Sequence, residues 1–103
     1  MPAAAPSASL QNNAMKIIKF TALWCADCIV MRPMWQEARQ AFPGLAIEEY
    51  DLDEHIDEAK AMGIANVPTT IYVSDSGEEL ERQVGMQDKD DLLDAIQRNL
   101  SLN

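Results

Sequence analysis

The chain has 103 residues, the length of one domain, with 48% hydrophobic and 24% charged residues, a globular composition that argues against general disorder. Eight basic residues against seventeen acidic ones give a net charge of −9, which argues against nucleic acid as a partner. No apolar run approaches the roughly 20 residues of a membrane helix, and two cysteines make neither a disulfide-dense scaffold nor a four-cysteine zinc site.

Residues 1–14, MPAAAPSASLQNNA, carry no charge and one large apolar residue besides the initiator, Leu10. A secretory signal needs a basic start and a continuous apolar stretch, and neither is present. This segment reads as a flexible leader outside the fold, with Met15 available as the biological start and residues 15–103 as the domain.

The texture changes at Met15. Lys16-Ile17-Ile18-Lys19-Phe20-Thr21 is β-branched and aromatic and predicts a largely buried strand. After Trp24, the apolar positions Met31, Met34, Trp35, Ala38, Ala41 and Phe42 keep one helical face, and Pro43-Gly44 ends that helix. Leu45 to Asp53 predicts a second strand, with Tyr50 and Leu52 on one face and Ile47, Glu49 and Asp51 on the other. A short helix is expected over Ile56 to Met62, stopping at Gly63.

Pro68 to Val73 predicts a third strand beginning at its proline, where a missing N–H is tolerated. The turn Asp75-Ser76-Gly77 then returns Glu79 to Val84 as an antiparallel partner, which Gly85 ends. Asp88 caps a last helix, Asp90 to Leu100, with Leu92, Leu93, Ile96 and Leu100 inward. The order β-α-β-α-β-β-α predicts an α/β domain: a four-stranded mixed sheet with helices on both faces. Charge is uneven, since residues 1–44 sum to +2 and residues 45–103 to −11. The plainest reading of that imbalance is a solvated acidic surface.

Trp24-Cys25-Ala26-Asp27-Cys28 stands where the first strand turns into the first helix. Two cysteines three apart at a helix start share a face and lie within disulfide reach. The unpaired N–H groups and positive dipole end of the helix stabilise a thiolate on Cys25. Cys28, one turn in, is expected to be more buried and to act second, resolving a mixed disulfide. A CxxC pair alone also occurs in metal sites; between a buried strand and an amphipathic helix it points to redox chemistry.

With these residues the chain resembles the thioredoxin family over about residues 16–100. Lys19 to Cys28 is similar to the family's strand, active-site tryptophan and redox motif, and Pro33 matches the proline that kinks its active-site helix. The resemblance implies that Val67-Pro68-Thr69 is the cis-proline loop lying against the dithiol, and that Gly85 borders the substrate groove. It implies a fold lacking the family's first strand and helix, because a leader without a pattern cannot supply them.

Two departures stand out. Between the cysteines are Ala26 and Asp27 in place of the family's Gly-Pro, and the Asp27 charge is expected to oppose the dipole at Cys25. The family's buried aspartate and its partner lysine are replaced by Lys19 and Glu49, as though exchanged. That pair is either a partly buried ion pair or a route for a proton at Cys28. Trp24 belongs either to an exposed docking surface or to the core; Trp35 is core. His55 is expected at the surface or as a cap, and with two cysteines it gives only three ligands, so no metal site is expected.

The function expected is a thiol–disulfide oxidoreductase, a reductant of protein disulfides that uses Cys25 and Cys28 without an organic cofactor. As the resemblance implies, Val67 and Pro68 present backbone to the substrate, and a separate disulfide reductase supplies the electrons. A monomer in the cytoplasm is expected, with no membrane partner. A non-catalytic binding module on the same scaffold and a dithiol carrier of a metal or metalloid are the alternatives.

Overall fold

β1, Lys16–Thr21, has apolar residues on both faces, and such a strand is stable only with a layer packed on each side. In the computed structural model, which describes residues 15–102, that strand lies in the interior of the sheet. The leader expected over residues 1–14 falls outside the described residues.

β2, Ala46–Asp51, pairs parallel to β1, with Lys16 opposite Ala46 and Lys19 opposite Glu49. β3, Thr69–Val73, pairs antiparallel on the other side of β1, and β4, Glu79–Val84, antiparallel to β3. The sheet order is therefore β2-β1-β3-β4, mixed as expected. The described residues begin at Met15, one residue before β1, so the expected lack of an earlier strand and helix lies outside them.

Alternation along β1 divides the core. Ile17 packs with Met15, Tyr72, Met31, Trp35 and Ala38 of α1 (Ala26–Ala41), and Leu92, Ala95 and Ile96 of α3 (Lys89–Leu102). Ile18 and Phe20 face the opposite way, onto Ile71 and onto Ala59 of α2, Ile56–Ala61. Burying each of the larger side chains contributes about 1.5–3 kcal/mol. Two helices on one face and one on the other leave the C-terminal end of β1 as a junction where strand, helix and loop meet.

The boundaries differ from expectation for local reasons. β2 stops at Asp51 because the chain turns there: the Asp53 N–H donates to Asp51 Oδ1 at 2.9 Å, and Glu54 and His55 both donate to the Asp51 carbonyl. α3 starts at Lys89 and runs to Leu102, with Asp88 Oδ1 accepting the Asp91 N–H at 2.8 Å as its cap. Ala41, placed by periodicity on the inner face of α1, is exposed in the final turn. Asn99, which nothing in the sequence marked, is fully buried; its amide donates to Glu81 Oε1 and the Ala95 carbonyl.

Candidate active site

β1 ends at Thr21, and Ala22 to Trp24 carry the chain over the sheet edge into α1. The Cys25 N–H donates to the Ala22 carbonyl at 3.1 Å, fixing that turn. Cys25 is the N-cap of α1, in extended conformation, and its Sγ accepts the Cys28 N–H at 3.1 Å. The sulfur thus occupies the place of a capping oxygen, at the positive end of a 16-residue helix, where negative charge is favoured. Both cysteines are free thiols.

Accessibility does not separate the two cysteines as expected. Cys25 is 6% exposed and Cys28 7%; the two form one buried cluster with Ala22, against which Leu52 and Val67 pack. Their surroundings separate them instead. Burial, followed by the hydrogen bond with the Cys25 thiol, pushes Cys28 up to about 11, while the Ala22 backbone and the charge of Lys19 pull against that rise. Cys28 is therefore a protonated thiol at neutral pH.

The loop before β3 closes the site. The Val67–Pro68 bond is cis, Pro68 is buried, and Val67 packs against the cysteines. Thr69 Oγ1 donates to the Asn66 carbonyl at 2.6 Å, and the Gly85 N–H donates to the Pro68 carbonyl at 2.8 Å. Gly85 has φ +92, a conformation strained for any side chain, and holds the end of β4 beside the proline. Trp24 is 65% exposed, with its indole Nε1 donating to Asp53 Oδ2 at 3.0 Å, so it is a surface residue and not core. Trp35 is buried as expected, at 4%. Asp27 is exposed in the first turn of α1. His55 precedes α2 without a side-chain cap and packs edge-on to Tyr50.

Lys19 and Glu49 do meet. Lys19 Nζ lies 3.5 Å from Glu49 Oε1 and 4.7 Å from the centre of the Trp35 ring. The Lys19 side chain is 9% exposed and that of Glu49 53%, so one member is enclosed and the other opens to solvent. Burial lowers the Lys19 ammonium below its usual range, Glu49 draws it back up, and Arg39 depresses it further. Lys19, Glu49, Cys28, Pro68 and Thr69 border a cavity of about 20 Å³, the room one water needs. Asp53, Ala22 and Asn66 escaped the sequence reading, because only the register of β1 against β2 and the loop bonds bring them to the site.

The thioredoxin family model matches residues 5–98. This chain belongs to the thioredoxin family. It is 31% identical over 87 residues to the thioredoxin of Chlamydia muridarum, covering 84% of each chain. Among solved structures, mitochondrial thioredoxin 3 from Saccharomyces cerevisiae in its oxidised form matches with a TM-score of 0.75 at 29% identity, over 84% of this chain and 79% of that one. A mutant thioredoxin from Halobacterium salinarum matches with a TM-score of 0.77 at 32% identity, over 88% and 79% respectively. As a thioredoxin-family member with the Cys25–Cys28 pair, the chain is a protein thiol–disulfide oxidoreductase. Among the described residues no helix is long and apolar enough to cross a membrane.

Proposed function

We propose that this oxidoreductase works as a reductant of protein disulfides, with Cys25 attacking and Cys28 resolving. The reading is carried by the contrast between the two sulfurs. Cys25 Sγ receives the Cys28 N–H at the helix N-cap, whereas the Cys28 thiol is held protonated by burial.

In the first step the Cys25 thiolate attacks one sulfur of a substrate disulfide. A Cys25–substrate disulfide forms, and the other substrate sulfur leaves as a thiolate that takes a proton from solvent. Cys28 then loses its proton and attacks Cys25 Sγ. The intramolecular Cys25–Cys28 disulfide forms and the second substrate sulfur departs. Two electrons and two protons pass to the substrate, and the dithiol is regenerated by a separate disulfide reductase.

Trp24, Val67, Pro68 and Gly85 are assigned the docking surface: Trp24 is exposed next to Cys25 in the chain, Val67 packs on the cysteines, and Gly85 is hydrogen-bonded to Pro68. Asp27 opposes negative charge at Cys25. Lys19 favours the Cys28 thiolate, and Glu49 is the carboxylate placed to accept its proton across the small cavity. The charge balance at Cys28 thus differs from one in which a buried carboxylate stands beneath the thiol. The reducing cytoplasm is the compartment that suits a reductant of this kind.

The test is reduction of a protein disulfide such as insulin, with the dithiol equilibrated in parallel against glutathione buffers. Turnover with a potential more negative than about −230 mV supports the reductant assignment. Absence of turnover, or a potential above about −200 mV, overturns it.

A further inference from the structure

The cations of α1 gather on one side. Arg32 and Arg39 are seven residues apart, with Gln36 between them, so all three share a helical face. Together with Lys19, Trp35 and Glu49 they line an open groove of about 210 Å³. Lys19, Arg32, Trp35 and Glu49 also border the small cavity at Cys28, so the groove lies beside the one that the resolving thiol lines. Glu49 offsets Lys19, which leaves two positive charges in excess along the groove.

Those charges are conspicuous in a chain of net charge −9. Among the described residues Lys16, Lys19, Arg82, Lys89 and Arg98 each form an ion pair with a glutamate, while Arg32, Arg39 and Lys60, the last on α2 away from the groove, form none. Carboxylates abound elsewhere on the surface, and among the described residues none but Glu49 lines the groove. Two unpaired guanidiniums with an amide between them are suited to carboxylates, which they bind through paired N–H donors. An acidic ligand would also meet the only part of the sequence with a positive balance.

We propose that this groove is a docking subsite for acidic polypeptide, selecting substrates whose target cysteine is followed or preceded by carboxylates. The inference rests on the assignment of disulfide reduction to Cys25 and Cys28. Geometry fixes the spacing. The substrate cysteine is held on Cys25, from which Arg32 lies two turns on, about 10 Å along the axis, and Arg39 about 21 Å. An extended peptide advances about 3.3 Å per residue, so acidic residues about three and six positions from the target cysteine reach the two arginines.

The experiment compares two otherwise identical disulfide-linked peptides with Glu or Gln at those two positions. The wild-type protein is expected to favour the Glu peptide in kcat/KM by about tenfold at low salt, chiefly through KM, and by about twofold near 0.5 M salt. In the double variant R32Q/R39Q the ratio should fall to about one at every salt concentration. Equal rates in the wild type, or a preference that survives in the double variant, overturn the groove while leaving the oxidoreductase assignment intact. Failure to reduce either peptide overturns the Cys25–Cys28 assignment itself, and the groove with it.

Discussion

Replacing Glu49 with Gln and Lys19 with Leu should have unequal effects, although the two residues form one ion pair. If both charges were fully enclosed, losing either would cost about 3–5 kcal/mol. They are not equally enclosed, with 9% of the Lys19 side chain exposed against 53% for Glu49. At 3.5 Å and an effective dielectric of about 20 the gross attraction is about 4–5 kcal/mol, which solvent at the open carboxylate reduces. Glu49→Gln strands a buried ammonium with only the Trp35 ring, and should destabilise by about 1–3 kcal/mol. Lys19→Leu keeps the apolar volume and leaves Glu49 in water, so its effect should stay within about 1 kcal/mol. The double variant should resemble Lys19→Leu.

Acidity gives an independent check. Lys19 titrates below its unfolded value of 10.5, so the folded state binds fewer protons there. The penalty for the buried ammonium is then full at neutral pH and is relieved as pH rises through the folded value towards 10.5. Removing Glu49 lowers that folded value further, so the deficit of Glu49→Gln should be smaller at pH 9 than at pH 6. Urea unfolding at both pH values measures it. A loss for Lys19→Leu as large as that for Glu49→Gln, or a deficit that grows with pH, would refute the reasoning.

Cys28 should alkylate with an inflection near pH 11 in the reduced protein, well above the ordinary 9.0 of a thiol, and an inflection at or below 9 would contradict its environment. Because the folded thiol is the weaker acid, its contribution to stability is full below pH 9 and is lost between about 9 and 11. Trp24→Ala should leave the denaturation midpoint nearly unchanged, since the side chain is 65% exposed, while raising KM for protein disulfides in steady-state assays. Asp88→Ala removes the cap of α3 and should cost about 1 kcal/mol in urea unfolding with no change in thiol reactivity.

What the sequence disclosed and what it withheld have separate physical causes. The strand over residues 16–21 and the inner face of α1 follow from hydrophobic period, which tertiary packing has no reason to override. The meeting of Lys19 and Glu49 was legible because parallel pairing of two strands constrains which positions oppose. Their unequal burial was not legible, since among the described residues β2 stands at the edge of the sheet and only the packed helix decides which end of the pair is covered. Equal exposure of the two cysteines was missed for a similar reason. Helical position predicts Cys28 to be the deeper, but Leu52 and Val67 come from distant loops and pack on the cluster that holds both cysteines. Trp24 was undecided until Asp53, brought close by the turn after β2, accepted its indole N–H on the outside of the fold. The arginine groove depends on Lys19 lying beneath α1, which is a matter of helix-on-sheet packing and not of local pattern.

The division of labour between the two thiols is tested most directly by trapping. Cys28→Ser protein, reduced and then mixed with an excess of a disulfide-containing protein, should accumulate a stable mixed disulfide that survives non-reducing electrophoresis. Peptide mass analysis should place the bond at Cys25, and Cys25→Ser protein should form the corresponding adduct far more slowly at pH 7. Faster capture through Cys28 than through Cys25, or no adduct from either variant, would contradict the account.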